Sequence, residues 1–213
     1  MDNYKKKVTS NLLWRFAERC GAQGMALIVS IILARLLSPD AYGQLALITV
    51  ITSLLQVFVD SGMANALIQK KETDQLDYSS VFYFNMLFCL LLYGGLFFLA
   101  PVIARGYKNE ALTAVIRVLG LTVILSGLTN VQQAYVSKTL QFKRFFFATL
   151  CGSAAGAVTG IAMACSGYEL WALVGQRLVN LLVNCVVLWF TVEWRPIWAF
   201  SWDRLKGLIS YGW

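Results

Sequence analysis

Tyr78–Ala104, YSSVFYFNMLFCLLLYGGLFFLAPVIA, runs for 27 residues without a charged side chain. A helix of about 20 predominantly apolar residues crosses the hydrocarbon core of a bilayer, so this stretch is long enough to span with some tilt. An outer-membrane strand would alternate apolar and polar residues over about 10 positions; here the apolar residues are continuous. Working outward, charged residues divide the rest of the chain into five more uncharged stretches. These are Cys20–Ala34, Ala41–Val59, Val118–Ser137, Phe145–Tyr168 and Leu178–Val192, of 15, 19, 20, 24 and 15 residues. The first and last reach spanning length only when they take in Arg35 and Arg177. The expected fold is an all-α membrane protein, a six-transmembrane-helix bundle with spans at about 12–37, 42–60, 79–104, 114–137, 145–166 and 169–192.

Composition points to the same solvent. Of the 213 residues 58% are hydrophobic and 14% charged, against about 25% charged in a soluble domain; the mean hydropathy is +0.63. Histidine is absent, which removes the commonest general base and a favoured metal ligand. The five cysteines (Cys20, Cys89, Cys151, Cys165 and Cys185) are odd in number and form no CxxC pair. They read as small buried hydrophobes, with no metal site, cofactor or disulfide framework expected. The net charge of +7 does not indicate nucleic acid, because the basic residues are spread between apolar runs. Lys5, Lys6 and Lys7 give a basic start, but no small-residue cleavage motif follows before Arg35, so the first helix reads as uncleaved.

Lysine and arginine are unevenly shared between alternate flanks. Lys5–Lys7, Arg15 and Arg19, then Lys70 and Lys71, then Lys138, Lys143 and Arg144, then Arg195, Arg204 and Lys206 place thirteen on one side. The other side holds four, Arg35, Arg105, Lys108 and Arg117. The positive-inside rule therefore expects both termini in the cytoplasm. All loops are short. The longest, Ser61–Asp77, is expected to carry an interfacial helix with Ala66, Leu67 and Ile68 turned to lipid. Residues 194–213, with tryptophans for the headgroup level and basic residues for water, are expected to form a second.

In the fifth span Gly152, Gly156 and Gly160 recur every four residues and, with Ala148, form a small-residue stripe for helix packing. Gly94–Gly95 and Gly127 are further places for close contact or flexing. Polar groups at membrane depth need a partner, a wet cavity or a route to the interface. Arg15, Arg19 and Gln23 share one face of the first helix, and Glu18 is placed to pair with Arg15. They read either as a wet helix end with snorkelling side chains or as the basic wall of a cavity. Arg177, about 10 Å inside the sixth span, forms a second strip with Asn180 and Asn184, suited to an interhelical hydrogen-bond network or to water. Asp60 is placed to pair with a first-helix arginine or to sit as a solvated helix end. Arg35 and Asp40 flank the short outer turn.

The final run WDRLKGLISYGW, Trp202–Trp213, echoes KKKVTSNLLWRF, Lys5–Phe16. Transporters are often built from repeated halves, so the expectation is a truncated chain: residues 1–193 as one six-helix lobe, and 194–213 leading into a missing second lobe.

Asn11–Gln69, with ILARLLSPDAYG followed by a helix and then DSGMANALIQ, resembles the start of bacterial polysaccharide flippases, and LQFKRFF at Leu140–Phe146 continues the likeness. The branch is the colanic-acid-exporter-like one of the multidrug/oligosaccharidyl-lipid/polysaccharide exporter superfamily. The resemblance implies a V-shaped transporter of two pseudo-symmetric six-helix lobes in the bacterial cytoplasmic (inner) membrane. Its implied substrate is an undecaprenyl-diphosphate-linked glycan, moved between leaflets, with membrane lipid and other polysaccharide assembly proteins as partners. Basic side chains would hold the diphosphate, and Arg15 and Arg19 match that role by position, with Arg177 behind them. No covalent chemistry is expected. A drug or cation antiporter of the same superfamily would favour cavity carboxylates, which the basic stripe opposes. A glycan polymerase, ligase or acyltransferase would need a long outer loop or an intramembrane histidine. A non-transporting membrane scaffold is the remaining alternative.

Overall fold

The computed structural model describes residues 2–59, 63–70 and 73–212. Among them the chain forms eight helices and no strand: α1 Asp2–Leu36, α2 Pro39–Val59, α3 Met63–Gln69, α4 Gln75–Gly106, α5 Ala111–Lys138, α6 Phe142–Cys165, α7 Glu169–Thr191 and α8 Trp202–Gly212. Six are long and apolar enough to cross a membrane, namely Leu13–Leu36 of α1 together with α2, α4, α5, α6 and α7. The spans coincide with the uncharged stretches because lipid, unlike water, sets no polar face on a helix. The apolar residues accordingly go all the way round, and Phe98, Val158 and Phe190 stand largely exposed on the outside of the bundle.

Two antiparallel hairpins, α4–α5 and α6–α7, make the most extensive contacts. The second turns through Ser166–Tyr168, where Gly167 takes φ +81°, a backbone region that L side chains rarely occupy. Helix α5 is central, touching α2, α3, α4, α6 and α7, and α1 lies along α6. At one end Leu33, Leu37, Ala41, Ala164, Ala172 and Leu173 close the core, and Ser38 Oγ of the α1–α2 turn donates to Glu169 at 3.1 Å. Arg35 and Asp40 are exposed there.

The glycine stripe is where α6 and α7 approach most closely. Gly152, Gly156 and Gly160 are buried. A Cβ placed on Gly152 would lie 2.6 Å from the Asn180 carbonyl oxygen, and one on Gly156 would lie 2.7 Å from that of Gln176. Gly127 likewise faces Cys89 Sγ, at 2.6 Å from such a Cβ. Of the two expectations for Gly94 and Gly95, close contact or flexing, close contact does not hold: nothing lies within 4 Å of a Cβ at either. Of the cysteines only Cys89 and Cys185 are buried; Cys20, Cys151 and Cys165 are exposed. In a lipid-solvated bundle an apolar helix position is not an interior position, so those three depart from the expected burial.

The opposite end gathers the basic residues and corrects two expectations. Ala66 and Leu67 of α3 are 1% and 0% exposed, packed in the core with Tyr78, Val131 and Leu205 rather than turned to lipid. Among that trio of apolar residues only Ile68 is exposed. The physical reason is that α5 and α8 flank α3, and its C-terminal carbonyls are covered by Lys138. The Lys138 ammonium donates to the carbonyls of Leu67 and Lys70 and to Thr73 Oγ1. The helix expected over 194–213 begins at Trp202, after a non-helical passage. Trp194 lies in the core at 3% exposed while Trp198 is 98% exposed.

Asp77 fastens this end. Its carboxylate is fully buried and takes the Lys70 ammonium at 2.7 Å and the Arg204 guanidinium of α8 at 3.3 Å. It also accepts the Asp74 backbone N–H at 3.1 Å, closing a capping box on α4. Arg204 reaches Asp74 as well, at 3.1 Å.

Candidate functional site

Polar side chains within the spans meet in a cavity of about 280 Å³ between α2, α5 and α7. It is lined by Thr52 and Gln56 of α2, Thr122 and Ser126 of α5, and Arg177, Asn180 and Leu181 of α7. Arg177 lies eight residues into α7, a depth of about 12 Å at 1.5 Å per residue. A guanidinium at that depth needs a polar or wet surrounding, and the cavity supplies hydroxyls and amides on facing helices. Two of the hydroxyls are tied to their own helix: Thr52 Oγ1 donates to the Ile48 carbonyl at 3.2 Å, and Thr122 Oγ1 donates to that of Leu119. Their remaining lone pairs are acceptors, whereas Arg177 is a donor only. The lining therefore combines one fixed positive charge with groups that can exchange hydrogen bonds with hydroxylated molecules. Among the described residues its lining has no carboxylate.

The polar strip of the sixth span divides. Arg177 and Asn180 line the cavity. Asn180 also reaches the glycine seam, where its Oδ1 lies 3.0 Å from a Cβ built on Gly152. Asn184 belongs to the seam alone, its Cβ 3.2 Å from the same point.

The strip on α1 lies elsewhere, against α6. Arg15 pairs with Glu18 at 2.8 Å, and its guanidinium sits 5.2 Å from the Phe145 ring centroid and 5.5 Å from that of Phe142. Thr149 Oγ1 of α6 donates to the other Glu18 oxygen at 3.4 Å. Arg15 is thus charge-compensated and partly packed, while Arg19 and Gln23 are exposed. Asp60 lies outside the described residues.

Sequence reasoning missed Thr52, Gln56, Thr122 and Ser126. The available signal was spacing: each pair stands at i, i+4 on one helix face, inside an uncharged stretch. No group of three or more metal-ligating side chains occurs among the described residues.

Residues 32–213 match the family model described as polysaccharide biosynthesis protein. The succinoglycan biosynthesis transport protein ExoT of Rhizobium meliloti is 25% identical over 97% of the chain and 42% of its own length. The lipopolysaccharide biosynthesis protein WzxC of Escherichia coli is 24% identical over 86% of the chain and 36% of its own length. The teichuronic acid biosynthesis protein TuaB of Bacillus subtilis is 24% identical over 76% and 34%. The chain thus spans about two fifths or less of the length of these relatives. No solved structure matches it. With six helices long and apolar enough to cross a membrane and a family match over most of its length, the chain is a multi-pass membrane protein that belongs to the polysaccharide biosynthesis protein family.

Proposed function

We propose that the chain forms one lobe of an exporter that moves undecaprenyl-diphosphate-linked oligosaccharide units across the bacterial cytoplasmic membrane for surface polysaccharide biosynthesis, with both termini in the cytoplasm. The observation that carries this reading is the Arg177 cavity, a guanidinium at membrane depth ringed by amides and hydroxyls from three spans. Arginine engages phosphate oxygens through two parallel N–H groups. Gln56, Asn180 and the nearby hydroxyls suit sugar hydroxyls, while the polyprenyl tail stays against the exposed apolar faces.

Arg19 and Gln23, exposed near the basic end, are placed to meet the anionic headgroup first; Arg15 is held by Glu18 and acts mainly on the packing of α1 against α6. Movement then comes from rocking of this lobe against a second one. A drug or cation antiporter would call for a carboxylate in the cavity, and the lining offers none among the described residues.

The test is flipping of a labelled lipid-linked oligosaccharide in proteoliposomes carrying the full-length gene product. A hydrogen bond to a charged group contributes about 1.5–3 kcal/mol, so Arg177→Ala is expected to slow flipping at least about tenfold, with partial recovery in Arg177→Lys and no change in membrane insertion. Flipping by Arg177→Ala at the wild-type rate overturns the site. Absence of flipping by the wild-type protein leaves the scaffold reading.

A further inference from the structure

A second cavity, of about 500 Å³, opens at the basic end of the bundle between the first turns of α6 and the last residue of α7, lined by Gln141, Lys143, Arg144, Phe147 and Thr191. Its chemistry is two-sided. Lys143 is exposed, its ammonium held 5.7 Å from the Trp14 ring and 5.9 Å from the Phe147 ring. Arg144 donates to the Thr191 carbonyl and pairs with Glu193 at 2.9 Å. The Gln141 side-chain carbonyl oxygen is buried without a hydrogen-bond partner. Phe147, about half exposed, adds an apolar wall. With two cations against one carboxylate the cavity carries a net positive charge. It lies beside the start of α6 and the end of α7, at the ends of two of the apolar spans.

We infer that this cavity is a binding site for the headgroup of an anionic phospholipid of the adjoining leaflet. The phosphate would lie between Lys143 and Arg144, and an acyl chain would run down over Phe147. A soluble anion would use the cations but leave the aromatic wall unsatisfied; a zwitterionic lipid would bring its own ammonium into the field of Lys143. The inference concerns a different end of the bundle from the Arg177 cavity and does not depend on what that cavity carries.

The experiment is native mass spectrometry of the detergent-purified full-length gene product, titrated with phosphatidylglycerol, phosphatidylethanolamine or inorganic phosphate. Retention of phosphatidylglycerol over phosphatidylethanolamine is expected, with no displacement by inorganic phosphate. One lysine near an anionic lipid surface is worth about fivefold in binding, so Lys143→Gln should lower retention by about that factor. Glu193→Gln, at an 81% exposed side chain, releases Arg144 from its partner and should raise retention without disturbing the fold. Lys206→Gln, the same charge loss on α8, should leave retention unchanged. Equal retention of the two lipids, equal losses from Lys143→Gln and Lys206→Gln, or displacement by phosphate would each overturn the site.

Discussion

Replacing the seam glycines by alanine tests how closely α6 and α7 are held. Ordinary van der Waals contact of a Cβ begins at 3.4 Å, and a methyl added at Gly152 or Gly156 would stand only 2.6 or 2.7 Å from a backbone carbonyl oxygen. A backbone atom in a packed helix cannot swing aside, so the two helices must part to make up the difference. Overpacking of this kind costs about 1–3 kcal/mol. At Gly160 the nearest atom is Gln176 Cβ, at 2.9 Å, which is fixed to its backbone, so alanine there should also destabilise, though less than at the two positions with closer approaches, after the gain of about 0.5–1 kcal/mol for alanine in a helix. Gly95 meets nothing and should only gain. The expected order of stability is therefore Gly95→Ala, wild type, Gly160→Ala, then Gly156→Ala and Gly152→Ala. The double variant at 152 and 156 should lose less than the sum, because one separation accommodates both methyls. Thermal unfolding of the detergent-solubilised full-length gene product, followed by tryptophan fluorescence, gives the order directly. If Gly152→Ala melted at or above Gly95→Ala, the close seam would be refuted.

Asp77→Asn should loosen α8. Its partners Lys70 and Arg204 are 31% and 43% exposed, so water can take over their solvation and the cost should be about 1–3 kcal/mol, below the 3–5 of a pair buried on both sides. Faster trypsin cleavage after Arg204 and Lys206 is the readout, and unchanged cleavage would count against the clasp. Gly127→Ala should destabilise by driving a methyl into Cys89 Sγ, and Cys89→Ala should relieve much of that loss. A double-mutant cycle with coupling below about 0.5 kcal/mol would show the contact to be slack.

Span number and position could be read from sequence because the signal is a long absence of charge, which the bilayer demands regardless of tertiary contacts. The location of α3 could not. Ala66 and Leu67 form an apolar face that looks the same whether lipid or protein covers it, and the covering came from α5 and α8, both far along the chain. The cavity was half legible. Arg177 and Asn180 stood out because charge and amide are costly in lipid. Thr52 and Thr122 did not, since a threonine that donates to its own helix satisfies itself and leaves no mark on the hydropathy pattern. The arginines of α1 were the converse case: conspicuous as a stripe, yet Arg15 is absorbed by Glu18 and two phenylalanine rings.

Asn180 holds two positions at once, one amide bordering the polar hollow and pressed against the neighbouring glycine rail. A guest pulling on that amide would tug α6 sideways, and α1, which rides on α6, would lean with it. Occupancy in the middle of the bilayer would in this way be felt at the first helix of the polypeptide, with no messenger but the stiffness of two helices.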